Sequence, residues 1–88
     1  MENNILYYSD VCPDTKSFLS ELNRLEVRFK SVNITESISN LKEFLAVRDN
    51  EAVFNDKKET NQVGIPVLVT EDKEYLFDGE QLRNKFDN

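Results

Sequence analysis

The sequence contains no histidine and only one cysteine, Cys12. The absence of histidine excludes a histidine general base and nearly all zinc sites. A single cysteine cannot form an internal disulfide, so no disulfide framework holds the fold together. Any chemistry must therefore use one thiol, carboxylates, hydroxyls or backbone dipoles.

Basic residues are also few, 11 against 17 acidic ones, and the formal net charge is −6. This surplus of acids argues against a nucleic-acid partner, because phosphate binding needs Lys and Arg. No apolar run approaches the roughly 20 residues of a membrane span, and Met1 to Asn4 lack the features of a signal peptide. We therefore expect a monomeric cytoplasmic protein with no membrane partner, folded as one domain over residues 1–88.

The first half of the chain predicts two strands that alternate with two helices. The near-continuous run from Ile5 to Tyr8 is typical of a central strand covered on both faces. Pro13 suits the first position of the helix that follows. Val27 to Ile34 fits a second strand, with a slip in its alternation near Ser31 that a bulge would explain. The next helix is capped by Ser37 or Ser39, and its predicted face comprises Ile38, Leu41, Leu45 and Arg48.

The second half predicts a hairpin and a closing helix. Residues 49–62 are mostly polar and are interpreted as a short third helix or an ordered excursion. Val63–Val69 and Tyr75–Phe77 fit two antiparallel strands, and Asp78 with Gln81 resembles a capping box that opens the last helix. The order β-α-β-α-(α)-β-β-α predicts an α/β fold with a four-stranded mixed sheet flanked by helices.

Two local features are candidates for chemistry. Cys12 follows a buried strand at the start of a helix, where unpaired N–H groups and the helix dipole favour a thiolate. We expect the Thr15 hydroxyl to donate to the sulfur, whereas Asp14 disfavours the thiolate. Gly64-Ile65-Pro66 enters a strand, and a cis peptide bond there would turn the Ile65 backbone toward an extended ligand. A lone cysteine is also often a small buried hydrophobe, and X-Pro before a strand is often only a turn, so both interpretations stay open.

These segments together resemble the glutaredoxin family. The resemblance is carried by Ile5 to Thr15 with its Cys12-Pro13 step, by Gly64-Ile65-Pro66, and by Asp78-Gly79-Glu80 before the last helix. It extends over nearly the whole chain, with residues 49–62 as an apparent insertion. The chain is most similar to glutaredoxin-related proteins of unknown function, which have a Leu-x-x-Phe-Leu-x-x-Arg-Asp segment like that of residues 41–49.

The resemblance implies a thioredoxin-like fold and assigns roles to particular residues. Cys12 matches the nucleophile and Pro66 the cis-proline, while the Ile65 backbone matches the position that pairs with glutathione. Gly79 and Glu80 fall where the family holds the γ-glutamyl carboxylate. Pro13 joins this binding set, and Thr15 joins the catalytic set, in place of the second cysteine of dithiol members.

Two other positions, and the segment after Cys12, depart from the family pattern. Ser9 replaces a basic residue of many members, and Asp78 replaces a glycine. The residues after Cys12 are not the Gly-Phe-Ser of members that bridge an iron–sulfur cluster. We therefore predict no metal and no bound cofactor, with glutathione as co-substrate.

The sequence leaves three functions open. The first is a monothiol oxidoreductase in which Cys12 attacks glutathione mixed disulfides, with glutathione or glutathionylated proteins as partners. The second is a non-catalytic binding or redox-sensing module that uses the same cleft. The third is a reductase related to arsenate reductases, for which Arg48 is the one arginine worth testing.

Overall fold

A four-stranded mixed sheet is the centre of the protein in the computed structural model, which describes residues 4–59 and 63–87. The central strand β1 pairs in parallel with β2 and antiparallel with β3, and β3 pairs antiparallel with β4. The order across the sheet is β2-β1-β3-β4. The strands are β1 (Ile5–Tyr8), β2 (Lys30–Asn33), β3 (Val67–Val69) and β4 (Tyr75–Leu76). The predicted α/β fold with a mixed sheet is confirmed.

Helices cover both faces of this sheet. They are α1 (Thr15–Arg24), α2 (Ile38–Asn50), α3 (Asn55–Glu59) and α4 (Gly79–Phe86), and a single 3₁₀ turn (Ala52–Phe54) joins α2 to α3. None of the helices in the described ranges is long and apolar enough to cross a membrane.

Two separate apolar clusters form the core, one on each face of the sheet. Successive strand residues point to opposite faces, so Leu6 enters one cluster and its neighbour Tyr7 the other. This division explains why β1 is apolar almost throughout. The cluster under α1 and α4 contains Leu6, Phe18, Leu22, Leu68, Leu76 and Leu82. The cluster under α2 contains Tyr7, Val32, Ile34, Phe44, Phe54, Val67 and Val69.

The same alternation accounts for the slip predicted near Ser31. Val27 and Phe29 pack against the cluster under α1, whereas Val32 and Ile34 belong to the cluster under α2. Odd and even positions simply face opposite sides of the sheet. The slip is therefore a change of face and needs no bulge, and the strand is shorter than predicted.

The structure corrects the predicted interior of α2. Ser37 is the N-cap, and its hydroxyl accepts a hydrogen bond from the Asn40 N–H at 3.1 Å. Ile38, the first helical residue, is exposed, and Phe44 is the helix residue that is fully buried. Its ring meets Phe54 at 6.0 Å in an edge-to-face arrangement. The polar excursion after α2 therefore contributes to the core through Phe54, although residues 60–62 of the predicted excursion lie outside the described ranges.

The hairpin and the last helix follow the prediction with shorter strands. Among the described residues of the hairpin, Leu68 pairs with Leu76 and Val69 with Tyr75. Asp78 is the N-cap of α4, and its carboxylate accepts from the Gln81 N–H at 2.9 Å. The Gln81 side chain accepts from the Phe77 N–H at 2.7 Å, one residue before the cap. This modified capping box fixes the direction in which α4 begins.

Candidate functional site

An open cleft of about 950 Å³ lies where three segments meet: the β1–α1 loop, the chain before β3 and the start of α4. Most of the residues singled out in the sequence line it, namely Cys12, Ile65, Pro66, Gly79 and Glu80. Residues far apart in sequence are thus brought together around one thiol. Pro13 and Thr15 are not among the residues that line the cleft.

Buried Ser9 organises the loop that carries the cysteine. The Ser9 carbonyl accepts from the Cys12 N–H at 3.1 Å and closes a turn, and the Ser9 hydroxyl accepts from the Val11 N–H at 3.2 Å. The Thr35 hydroxyl lies 3.0 Å from that of Ser9 and donates to the Asn33 side chain at 2.8 Å, so Ser9 is the donor between the two hydroxyls. Only 2% of Ser9 is exposed, and it lies at the bottom of the cleft, where its hydrogen bonds support the loop.

The predicted role of Thr15 is wrong in this structure. Its buried hydroxyl donates to the Ser9 carbonyl at 2.9 Å. Because a hydroxyl has one proton to donate, it does not also donate to the Cys12 sulfur. Thr15 therefore stabilises the β1–α1 loop through a buried hydrogen bond.

Pro13 is also displaced from its predicted position. Helix α1 begins at Thr15, two residues after Pro13, and Asp14 is its N-cap. A turn precedes the helix, in which the Thr15 N–H donates to the Cys12 carbonyl at 3.2 Å. Pro13 is exposed and lies in this turn. Its fixed backbone angle suits the turn as well as it would suit a helix start.

The Cys12 side chain is half-buried at the edge of the cleft. Within residues 4–59 and 63–87, no group donates a hydrogen bond to its sulfur. The amide contacts expected for the sulfur are therefore not formed, and the positive end of α1 lies one turn further along the chain. A thiol placed this way is open to an incoming disulfide.

The segment before β3 forms the second wall of the cleft. The Ile65–Pro66 peptide bond is cis. Gly64 has a φ of +100°, and a Cβ at this position would come within 3.0 Å of the Phe54 ring. Glycine is required there both by the backbone conformation and by the close approach of the ring. Phe54 of the 3₁₀ turn after α2 therefore lies close to the backbone that leads into Ile65.

The start of α4 forms the third wall. The Arg83 guanidinium passes over Gly79, where a Cβ would lie 3.1 Å from its Nη1 atom, and reaches Glu21 of α1 at 3.3 Å. Sequence reasoning missed this arginine as a site residue, although it lies one helical turn after Gly79. Arg48, the arginine considered for an oxyanion site, does not line the cleft.

Lys57 was also missed by sequence reasoning. It comes from α3 and lines the cleft with its ammonium 5.1 Å from the centre of the Phe77 ring. Its neighbour Lys58 does not line the cleft, and nothing in the Lys57-Lys58 pair indicates which one does. In the described part of the chain, no three potential ligands are grouped to hold a metal ion.

Comparisons with known proteins extend this description. No family model matches the sequence. A protein of Haemophilus influenzae described as uncharacterised is 39% identical over 83 residues, which cover 94% of this chain and 96% of the relative. The solved structure of a glutaredoxin from Archaeoglobus fulgidus matches with a TM-score of 0.67 and 22% identity, over 100% of this chain and 89% of the other. At this identity the structural match shows the glutaredoxin, thioredoxin-like fold.

Proposed function

Because the chain belongs to one family with the Haemophilus influenzae protein and has the fold of a glutaredoxin, we propose that it is a cytosolic monothiol oxidoreductase. It reduces glutathione mixed disulfides through Cys12 and works as a monomer without a bound cofactor. One observation carries the proposal: the thiol, the cis Ile65–Pro66 segment and the start of α4 share one cleft.

The chemistry is two successive displacements at sulfur. The Cys12 thiolate attacks the glutathione sulfur of a mixed disulfide, and the other half leaves as a thiolate that takes up a proton. A glutathione thiolate then attacks the glutathione sulfur bound to Cys12 and releases glutathione disulfide. The two electrons come from glutathione, so no second cysteine is needed on this chain.

Two walls of the cleft suit a glutathionyl group. Among the described residues, the Ile65 backbone has no hydrogen-bond partner, so an extended cysteinyl unit can pair with it. The first N–H groups of α4, at Gly79 and Glu80, are not used within the helix and attract a carboxylate. Lys57 adds a positive charge on the same cleft.

A coupled turnover assay tests this function. The wild-type protein should reduce the mixed disulfide of glutathione and 2-mercaptoethanol with glutathione as reductant, and Cys12→Ser should abolish turnover because serine cannot form the intermediate. Ser20→Ala is the matched control, because Ser20 is an exposed residue of the same helix α1 and does not line the cleft. Equal turnover by wild type and Cys12→Ser would contradict the proposal.

A non-catalytic binding or redox-sensing module is the second candidate. It is favoured by the absence of any hydrogen bond to the Cys12 sulfur from the described residues, since such bonds would stabilise the attacking thiolate. This function predicts that glutathione disulfide modifies Cys12 without turnover, and that the glutathionyl group is then retained in the presence of reduced glutathione.

A further inference from the structure

The rim of the cleft beside the sulfur carries apolar side chains that face solvent. Val11, directly before Cys12, is 79% exposed, and Val63, just before the Gly64 turn, is 48% exposed. Both line the cleft. They define a rim that neither core cluster covers.

The exposure of Val11 is built into the loop. The turn from Ser9 to Cys12 is closed by the bond from the Cys12 N–H, and the Val11 N–H is held by the Ser9 hydroxyl. Within this turn the Val11 side chain is exposed and belongs to neither core cluster. A β-branched apolar residue is unusual at such a turn, which polar residues and glycine favour. Its place next to the sulfur indicates contact with a partner rather than a role in folding.

The charge around this rim is negative. Glu21 is shared between Arg83 at 3.3 Å and Arg24 at 2.6 Å, and the cleft also carries Asp14, Asp78 and Glu80 against Lys57. Asp10 adds another exposed carboxylate in the same turn as Val11. With a formal charge of −6 over the whole chain, the field attracts cationic partners and repels anionic ones.

We infer that the polypeptide half of the mixed disulfide is a basic segment: an apolar residue beside its cysteine packs on Val11 and Val63, and Lys or Arg residues next to it face Asp10 and Asp14. This inference rests on the proposed function for its chemistry. The glutathionyl half occupies the walls formed by Ile65 and α4, and the basic polypeptide leaves as the thiol.

Glutathionylated peptides of one length test the inference. Each has one cysteine and one leucine, flanked by two Arg, two Ser or two Glu residues, and the small 2-mercaptoethanol mixed disulfide is the reference. At low salt the Arg peptide should exceed the Glu peptide in kcat/KM by about tenfold, and about 0.5 M salt should remove most of the difference. Equal rates for the Arg and Glu peptides, or a faster Glu peptide, would overturn the inference.

Variants of the rim separate docking from chemistry. Val11→Ser should lower the ratio of kcat/KM for the Arg peptide to that for the small reference by about fivefold. Ile38→Ser is the matched control, because Ile38 is 67% exposed but does not line the cleft, and it should leave this ratio unchanged. An unchanged ratio in Val11→Ser would contradict docking on the rim.

A binding experiment keeps the inference separate from the proposed function. The Arg peptide with serine in place of cysteine is titrated into the ¹⁵N-labelled protein, where no disulfide chemistry is possible. Amide shifts at Val11, Asp14 and Val63, weakened in Val11→Ser, support docking even if no substrate is turned over. Absence of these shifts would refute the docking surface whatever the turnover assay gives.

Discussion

Replacing Thr15 with valine tests the structural role assigned to its hydroxyl. Valine keeps the shape and removes the donor, so the bond of 2.9 Å to the Ser9 carbonyl is lost. That carbonyl still accepts from the Cys12 N–H at 3.1 Å and is not left without a partner. The cost is therefore the net value of one buried hydrogen bond, about 1 kcal/mol, rather than the larger penalty of an orphaned group.

Urea denaturation of Thr15→Val measures this cost. The urea concentration at the midpoint should fall with the m-value unchanged. In thermal unfolding, Tm should fall by about 4–8 °C for a domain of this size. Ser17→Ala is the control, because its hydroxyl bonds the Asp14 carbonyl at 3.2 Å on the exposed side of the same helix. Its change should stay within about 0.5 kcal/mol.

The reactivity of Cys12 distinguishes a Thr15 hydroxyl that supports the loop from one that donates to the sulfur. With the loop intact, alkylation of Cys12 by iodoacetamide should change by less than about threefold in Thr15→Val, since the hydroxyl does not contact the sulfur. If stability is unchanged while alkylation slows tenfold or more, the hydroxyl serves the sulfur, and the structural role is refuted.

Three further predictions concern the walls of the cleft and the core beneath them. Phe54→Ala should lower the free energy of unfolding in urea by about 3–5 kcal/mol, because Phe54 is fully buried. The control Val53→Ala, at its exposed neighbour, should lower it by less than about 0.5 kcal/mol. Equal losses would show that the segment after α2 does not contribute to the core. Gly64→Ala should destabilise by about 1–3 kcal/mol in the same assay, because its φ is +100° and the new Cβ meets the Phe54 ring; a neutral result would contradict the close approach. Burial and the hydrogen bond to Glu43 raise the pKa of Tyr7 above its ordinary value of 10.0, so the unfolded chain loses this proton first and stability should fall as pH rises above about 10. Tyr7→Phe should reduce that alkaline loss in unfolding curves between about pH 9 and 11, and an identical slope in both proteins would exclude Tyr7 as its source.

Local patterns predicted the fold where the determining contacts are local. The apolar run of β1 and the Asp78 cap of α4 depend on neighbouring residues, and both are found in the structure. The burial of Phe54 could not be predicted in this way, because it depends on Phe44 and Gly64, which periodicity does not connect. Ile38 fits the apolar spacing of a helix and was therefore expected in the core. It lies directly after the N-cap, and its side chain is exposed to solvent.

The candidate site was predictable as a set of chain segments and less so in its hydrogen bonds. Cys12 after β1 and Pro66 directly before β3 line the same cleft. The partner of Thr15 is the carbonyl of Ser9, six residues earlier, and only the folded loop shows that these two groups meet. Lys57 reaches the cleft from α3 through long-range packing, so its neighbour Lys58 was an equal candidate in the sequence.

Attack of Cys12 on the glutathione sulfur of a mixed disulfide can be followed by intact-mass spectrometry, after the protein is mixed with a slight excess of a glutathionylated peptide and without reductant. We expect one glutathionyl group on Cys12, a free peptide thiol, and loss of the group when glutathione is added. A protein that stays unmodified, or that carries the peptide instead of the glutathionyl group, would contradict it.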